Sequence, residues 1–185
     1  MTTTNAAPEA VLTFWFDEIQ PSQWWTVDAG FDEALAARFG GLLTRAARGE
    51  LVDWRETPRG RLAEVIVLDQ FSRNIHRGTP GAFAQDPMAL ALAQEAVARG
   101  ALSALSEPME RTFLLMPYMH SESALIHRHA EPLFKQWAPA TNHDYELRHK
   151  AIIDRFGRYP HRNQVLGRAS SDEELAFLRE PGSSF

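Results

Sequence analysis

Cysteine is missing from all 185 residues, and that absence excludes thiolate nucleophiles, disulfides and cysteine-held zinc. Basic charge is short as well. Nineteen Lys and Arg against 24 Asp and Glu leave a formal net charge of -5, so the footprint of a general nucleic-acid binder is lacking. No apolar run approaches the roughly 20 residues that cross a bilayer. The first residues, Met1-Thr2-Thr3-Thr4-Asn5-Ala6-Ala7-Pro8, have neither the basic nor the apolar region of a secretory signal. The expectation is a soluble cytoplasmic protein with no nucleic-acid and no membrane partner. Gly-rich phosphate loops, a Gly-x-Ser-x-Gly elbow and a His-Glu-x-x-His pattern are absent too.

What is present reads as globular and helical. Hydrophobic residues make up 44% and charged residues 23%, ordinary values for a packed domain. The length fits one domain over 1–185. Period-two alternation is nowhere sustained, so the predicted class is all-α. Pro8 to Ile19 reads as a first helix. The Pro21–Trp25 break follows, its tryptophans predicted to lid the core. Asp28 caps a second helix that Gly40-Gly41 weakens and Gly49 closes. Thr57-Pro58 and Asp86-Pro87 are each a cap followed by proline. The first opens a helix into the Asp69 stretch, the second a helix that Gly100 ends. Glu107 to Met116 is predicted to stop at Pro117. Ser121 or a neighbour caps a helix to Trp137, with a kink or break at Pro132. A loop near 139–142 precedes a helix from His143 to Phe156, ended by Gly157. Ser171-Asp172-Glu173-Glu174 is a capping box for the last helix.

Three patches depart from a plain helix-bundle pattern. In the first, the apolar stripe through Leu62, Val65 and Ile66 continues at helical spacing onto Asp69, Arg73 and His76. Gln70 and Asn74 are four apart, as are Asp69 and Arg73. Charges on a core-facing line must be paired or line a pocket. The second patch, Met116 to Glu122, brings His120, Ser121 and Glu122 to a helix end, where His and Glu can serve as general acid or base. The plain alternative is that Ser121 caps the next helix and Glu122 complements its dipole. The third, Asp154 to Arg168, crowds Arg158, His161, Arg162, Asn163 and Arg168 into a Gly/Pro-punctuated turn, suited to gripping carboxylate or phosphate. His149 sits on the apolar line of the helix before it. His127 and His129 lie near the surface of the kinked helix and carry no assignment.

Leu68-Asp69-Gln70-Phe71, Arg73-Asn74, Arg77-Gly78-Thr79-Pro80, Ala82-Phe83 and Asp86 form a first motif. Met116-Pro117 with His120-Ser121-Glu122 is a second. Phe156-Gly157-Arg158, Pro160-His161-Arg162-Asn163, Leu166-Gly167-Arg168 and Ser170 complete a third. In this order they resemble the bacterial domain-of-unknown-function family 924. The chain departs from it at Ser72, where proline is expected, and at Tyr159, where phenylalanine is. The resemblance implies a tetratricopeptide-like stack of helical hairpins, with no activity attached.

The residues themselves suggest a pocket for a small anionic ligand. Gln70, Arg73, Asn74, His76, Arg77, His149, Arg158, Arg162 and Asn163 would contact it. Asp69, His120, Glu122 and His161 would do acid–base chemistry of a hydrolase or lyase type. Imidazole and carboxylate from His76, His120, Glu122, His149 or His161 could suit zinc or iron, but no pair has dedicated ligand spacing. Neither metal nor cofactor is therefore expected. A helical-repeat module binding a protein partner is the competing reading, and an internal network that only fixes helix register is the third. The sequence leaves the oligomeric state open.

Overall fold

The structure, a computed structural model, describes residues 7–184; the expectation for the leading residues falls largely outside them. Among the described residues there is no strand, and no helix is long and apolar enough to cross a membrane. α1 (Pro8–Thr13) runs into a π turn over Phe14–Glu18. α2 (Ala29–Ala47) starts on Asp28, whose carboxylate accepts from the Gly30 and Phe31 N–H groups. α3 (Pro58–Ile66), capped by Thr57, continues through a second π turn, Val67–Phe71, into α4 (Ser72–Ile75). Then come α5 (Asp86–Ala98), α6 (Ala101–Ala104), α7 (Pro108–Met119), α8 (Ala124–Trp137), α9 (Ala140–Phe156) and α10 (Asp172–Phe177).

α3 is the axis of the molecule. It packs on α1, α5 and α7, and the π turn that prolongs it packs on α2 and α5. Leu62, Ala63, Val65, Ile66, Val67, Leu68 and Phe71 are all without exposure, as befits a helix packed on several sides, and the buried Glu64 among them is paired with Arg55. Each large side chain so buried contributes about 1.5–3 kcal/mol. The two π turns meet through Phe71, whose ring lies 5.6 Å from Trp15 and 6.1 Å from Phe14. α7, α8 and α9 pack each on the next, as short connections favour.

Several local expectations are corrected. Pro117 does not stop α7, which runs on to Met119, and Pro132 lies inside an unbroken α8. A mid-helix proline costs about 3 kcal/mol, but Leu114, Leu115 and Tyr118 beside one, and Ala130 and Phe134 beside the other, are buried. Packing wins. Asp86 is the first residue of α5 and not its N-cap, which is Gln85. The cap before α8 is Ser123, without a side-chain bond, and α9 begins at Ala140, earlier than expected. Of the lid tryptophans, Trp24 packs on the core and donates to the Trp15 carbonyl at 2.9 Å. Trp25 is 58% exposed.

Candidate functional site

A π turn closes i→i+5 hydrogen bonds and so fits one more residue into the helix than the α pattern allows. Asp69 lies in that turn, fully buried. Its Oδ1 accepts from Arg73 Nη1 at 3.0 Å and from His120 Nδ1 at 2.7 Å. Its Oδ2 accepts from Gln70 Nε2 at 2.6 Å. Arg73 also reaches across to α5, where its two terminal nitrogens hold Asp86 at 2.8 and 3.0 Å. Arg162, from the turn after α9, joins the same carboxylate at 3.3 Å and donates to the His120 carbonyl at 3.0 Å. The Phe83 ring backs both guanidiniums, 5.5 Å from Arg73 and 4.6 Å from Arg162.

This geometry assigns the protons. Burial alone would raise the Asp69 carboxyl, but Arg73, His120 and Gln70 outweigh it and hold it well below the ordinary carboxylate range. Asp69 is therefore an ionised acceptor, and His120 Nδ1 must carry the hydrogen between them. Burial, reinforced by Arg73, pushes the His120 imidazole down despite Asp69. At neutral pH the ring is uncharged and Nε2 holds a lone pair. That nitrogen has no hydrogen-bond partner among the described residues.

His120 opens onto a concave pocket of about 370 Å³, within the size range of small-ligand sites. Pro80, Phe83, Pro87, Leu90, Pro117 and Leu166 give it apolar walls. Its polar end is Asp86, His120, Ser121, Glu122 and Arg162. Glu122 is locked to Arg168 at 2.7 and 2.9 Å and accepts the Tyr159 N–H at 2.7 Å. Burial would raise its carboxyl, but Arg168, the Tyr159 N–H and Arg162 keep it low.

Six of the expected residues thus come together: Asp69, Gln70, Arg73, His120, Glu122 and Arg162. Of these, His120, Glu122 and Arg162 line the pocket, while Asp69, Gln70 and Arg73 join it through His120 and Asp86; the other seven are outside both groups. His76 and Arg77 are exposed; His76 abuts Gly81 and Arg77 pairs with Asp32 at 2.6 Å. Asn74 is half-buried beside them. Arg158 clasps Glu174 at 2.6 and 2.8 Å. Asn163 ties its own turn, bonding Ser170 and Arg168. His149 bonds the Tyr145 carbonyl at 2.7 Å, and its ring and that of His161 stand 5.7 and 5.6 Å from Tyr159. Burial drives His149 down to about 3 and His161 to about 4. His161 lines a separate hollow with Arg168, Ser183 and Ser184. No three His, Asp or Glu side chains among the described residues stand so as to hold a metal ion. Three participants escaped the sequence reading. Asp86 was read as a cap and Phe83 only as part of the family motif, and His127, left without an assignment, is wholly buried.

Comparison with known proteins adds a fold relative without an activity. The family of bacterial proteins of unknown function DUF924 matches residues 11–182. Among solved structures, the chain is similar to a protein of unknown function, ATU0120 from Agrobacterium tumefaciens. The two are 36% identical over 93% of this chain and 96% of that one, with a TM-score of 0.87. No curated protein of known function matches.

Proposed function

Because the chain belongs to the bacterial family of unknown function DUF924, we propose a function from the geometry: the pocket is a general-base site for a small ligand with an apolar body and one carboxylate or acyl oxygen. The carrying observation is the Asp69–His120 pair, whose bare Nε2 is the one unengaged ring nitrogen at the pocket's polar end. A buried carboxylate that fixes the Nδ1–H tautomer leaves Nε2 free to take a proton from water or from carbon. Hydrolysis of an acyl group or a proton-abstraction lyase step are the reactions these parts serve.

The arginines do not meet the ligand as free cations, since Arg73 and Arg162 share Asp86 and Arg168 is spent on Glu122. Arg73 and Arg162 are balanced by Asp86 and the ionised Asp69, but Arg162 lines the pocket with its Nε unpartnered among the described residues. Burial and Arg73 together lower the Arg162 guanidinium, so negative charge developing beside it is favoured. A singly charged carboxylate or an oxyanion suits Arg162 better than a phosphate, whose double charge would also face Asp86 and Glu122. A tetratricopeptide-like partner-binding role draws less support. The exposed large apolar side chains (Trp25, Val27, Val52, Leu125, Tyr145, Leu147, Leu175) are divided among five stretches of chain.

The test is a thermal-shift titration with short aliphatic and aromatic carboxylates, inorganic phosphate as comparison, and p-nitrophenyl acetate hydrolysis as a rate assay. At 100 Kd a carboxylate should stabilise by about 2.7 kcal/mol, roughly a 5–10 °C rise for a chain of this size. His120→Asn should abolish ester cleavage while keeping the fold. A panel that moves neither the wild type nor the rate would end this reading.

A further inference from the structure

A helix that ends without a left-handed glycine leaves its last carbonyls to be met by other groups. α7 ends this way, in Met119-His120-Ser121. The Met119 carbonyl accepts the Tyr159 hydroxyl at 2.5 Å. The His120 carbonyl accepts Arg162, and the Ser121 carbonyl faces His127 Nε2 at 2.8 Å. Three consecutive carbonyls centred on His120 are thus held by side chains of α8 and of the turn after α9.

A carbonyl only accepts, so His127 Nε2 carries a hydrogen. His127 Nδ1 lies 2.7 Å from Glu146 Oε1. Glu146 is wholly buried and its Oε2 has no partner, a costly place for a bare carboxylate oxygen. Burial, against the pull of His127, raises this carboxyl. A hydrogen therefore lies between Oε1 and Nδ1, and the pair holds the ring with its Nε2–H on the Ser121 carbonyl. In this way Glu146 fixes the ring orientation that lets His127 hold the Ser121 carbonyl. The Nε2–H is shared with the Tyr159 hydroxyl oxygen at 3.2 Å.

We propose that Tyr159, His127 and Glu146 are positioning residues for His120, acting through the main chain on either side of it. The inference rests on His120 being the base of the pocket. None of the three lines the pocket, so none touches the ligand. Asp69 is fixed on the π turn of the axis, and the 2.7 Å contact with His120 therefore depends on where the end of α7 is held. Tyr159 stands where the family resemblance predicts phenylalanine, so Tyr159→Phe should fold.

Ring-nitrogen NMR of 15N-histidine-labelled full chain, without ligand, decides the matter. The wild type should show His120 as the Nδ1–H tautomer and His127 protonated on Nε2. In Tyr159→Phe and Glu146→Leu the ratio of Nδ1–H to Nε2–H in His120 should fall about fivefold, the weight of one hydrogen bond. Glu146→Gln, whose amide can still pair with Nδ1, should keep the wild-type pattern at His120. Lower melting temperatures with His120 signals unchanged would make the three residues a plain helix cap and overturn the proposal. So would a wild-type His127 protonated only on Nδ1, a result that needs no variant to fold. Ligand binding is read separately. A failed carboxylate screen sinks the pocket's function and leaves this measurement standing, whereas ligand binding with an indifferent His120 ring sinks only the positioning role.

Discussion

Replacing Asp69 with asparagine keeps the shape of the side chain and removes its charge. Three donors converge on the carboxylate, from Arg73, His120 and Gln70. An amide has one acceptor oxygen and brings two hydrogens, so at least one donor must face an N–H group. An unpaired buried donor costs about 1–3 kcal/mol. Arg73 also loses one of two partners, although Asp86 still holds it. Removing one side of a buried ion pair costs about 3–5 kcal/mol, and we take that range for the whole change. At about 2–4 °C per kcal/mol for this chain length, melting should fall by roughly 6–20 °C. The folded carboxyl is held below its ordinary value, so its contribution is fully present above about pH 4, the unfolded value. It is lost only as pH falls through the lower folded value. In thermal melts the gap between wild type and variant should therefore be constant from pH 7 to 8, above the range where His120, whose imidazole Asp69 raises, takes up a proton. The same samples should show His120 moving its hydrogen to Nε2, since the amide can now donate to Nδ1. A loss below about 1 kcal/mol, or an unchanged His120 tautomer, would refute the view that Asp69 organises the site.

Asp86→Asn should leave the guanidiniums of Arg73 and Arg162 facing each other and cost about 3–5 kcal/mol. Phosphate at constant ionic strength should then restore melting temperature in the variant and not in the wild type; equal response in both would contradict the shared-carboxylate account. Burial holds His149 near 3 and His161 near 4, whereas unfolded histidine titrates near 6.5. The unfolded chain therefore takes the proton first. Stability is full above about pH 6.5 and falls by about 1.4 kcal/mol per pH unit for each ring toward pH 4; urea unfolding showing a flat profile from pH 7 to 4.5 would count against it. A Cβ on Gly60 would sit 1.9 Å from the Trp54 carbonyl oxygen, while Gly41 meets nothing within 4 Å. Gly60→Ala should thus lose about 1–3 kcal/mol and Gly41→Ala gain about 0.5–1, a contrast that paired melts can check.

Helix existence was legible because it depends on local chemistry. Asp28, Thr57 and the Ser171–Glu174 box cap the helices they were expected to cap. Gly49 and Gly157 take the positive φ expected of helix stops. What failed depended on tertiary packing. Pro117 and Pro132 read locally as breaks, and only the buried neighbours overrule them. Asp86 shows the same limit from the other side. An acid before proline is a good cap by sequence, yet the partners that claim its carboxylate are Arg73, 13 residues back, and Arg162, 76 residues on.

The central stretch shows why part of the site was visible and part was not. The stripe through Leu62, Val65 and Ile66 was extended at 3.6 residues per turn to Asp69, Arg73 and His76. A π turn over Val67–Phe71 breaks that arithmetic by admitting an extra residue, and the helix ends at Ile75. Arg73 stays near Asp69 because its side chain is long enough to reach back to both the Asp69 carboxylate and its carbonyl. His76 has no such reach and is left exposed. Ser72 follows the turn with φ -59°, close to what proline imposes, so the serine found there in place of the expected proline leaves the backbone path unchanged. The turn itself has no sequence signature, because Val67, Leu68 and Phe71 would be equally at home in an α-helix. Its consequence is physical: it sets a carboxylate in the most buried helix of the molecule where α7 can bring an imidazole to it.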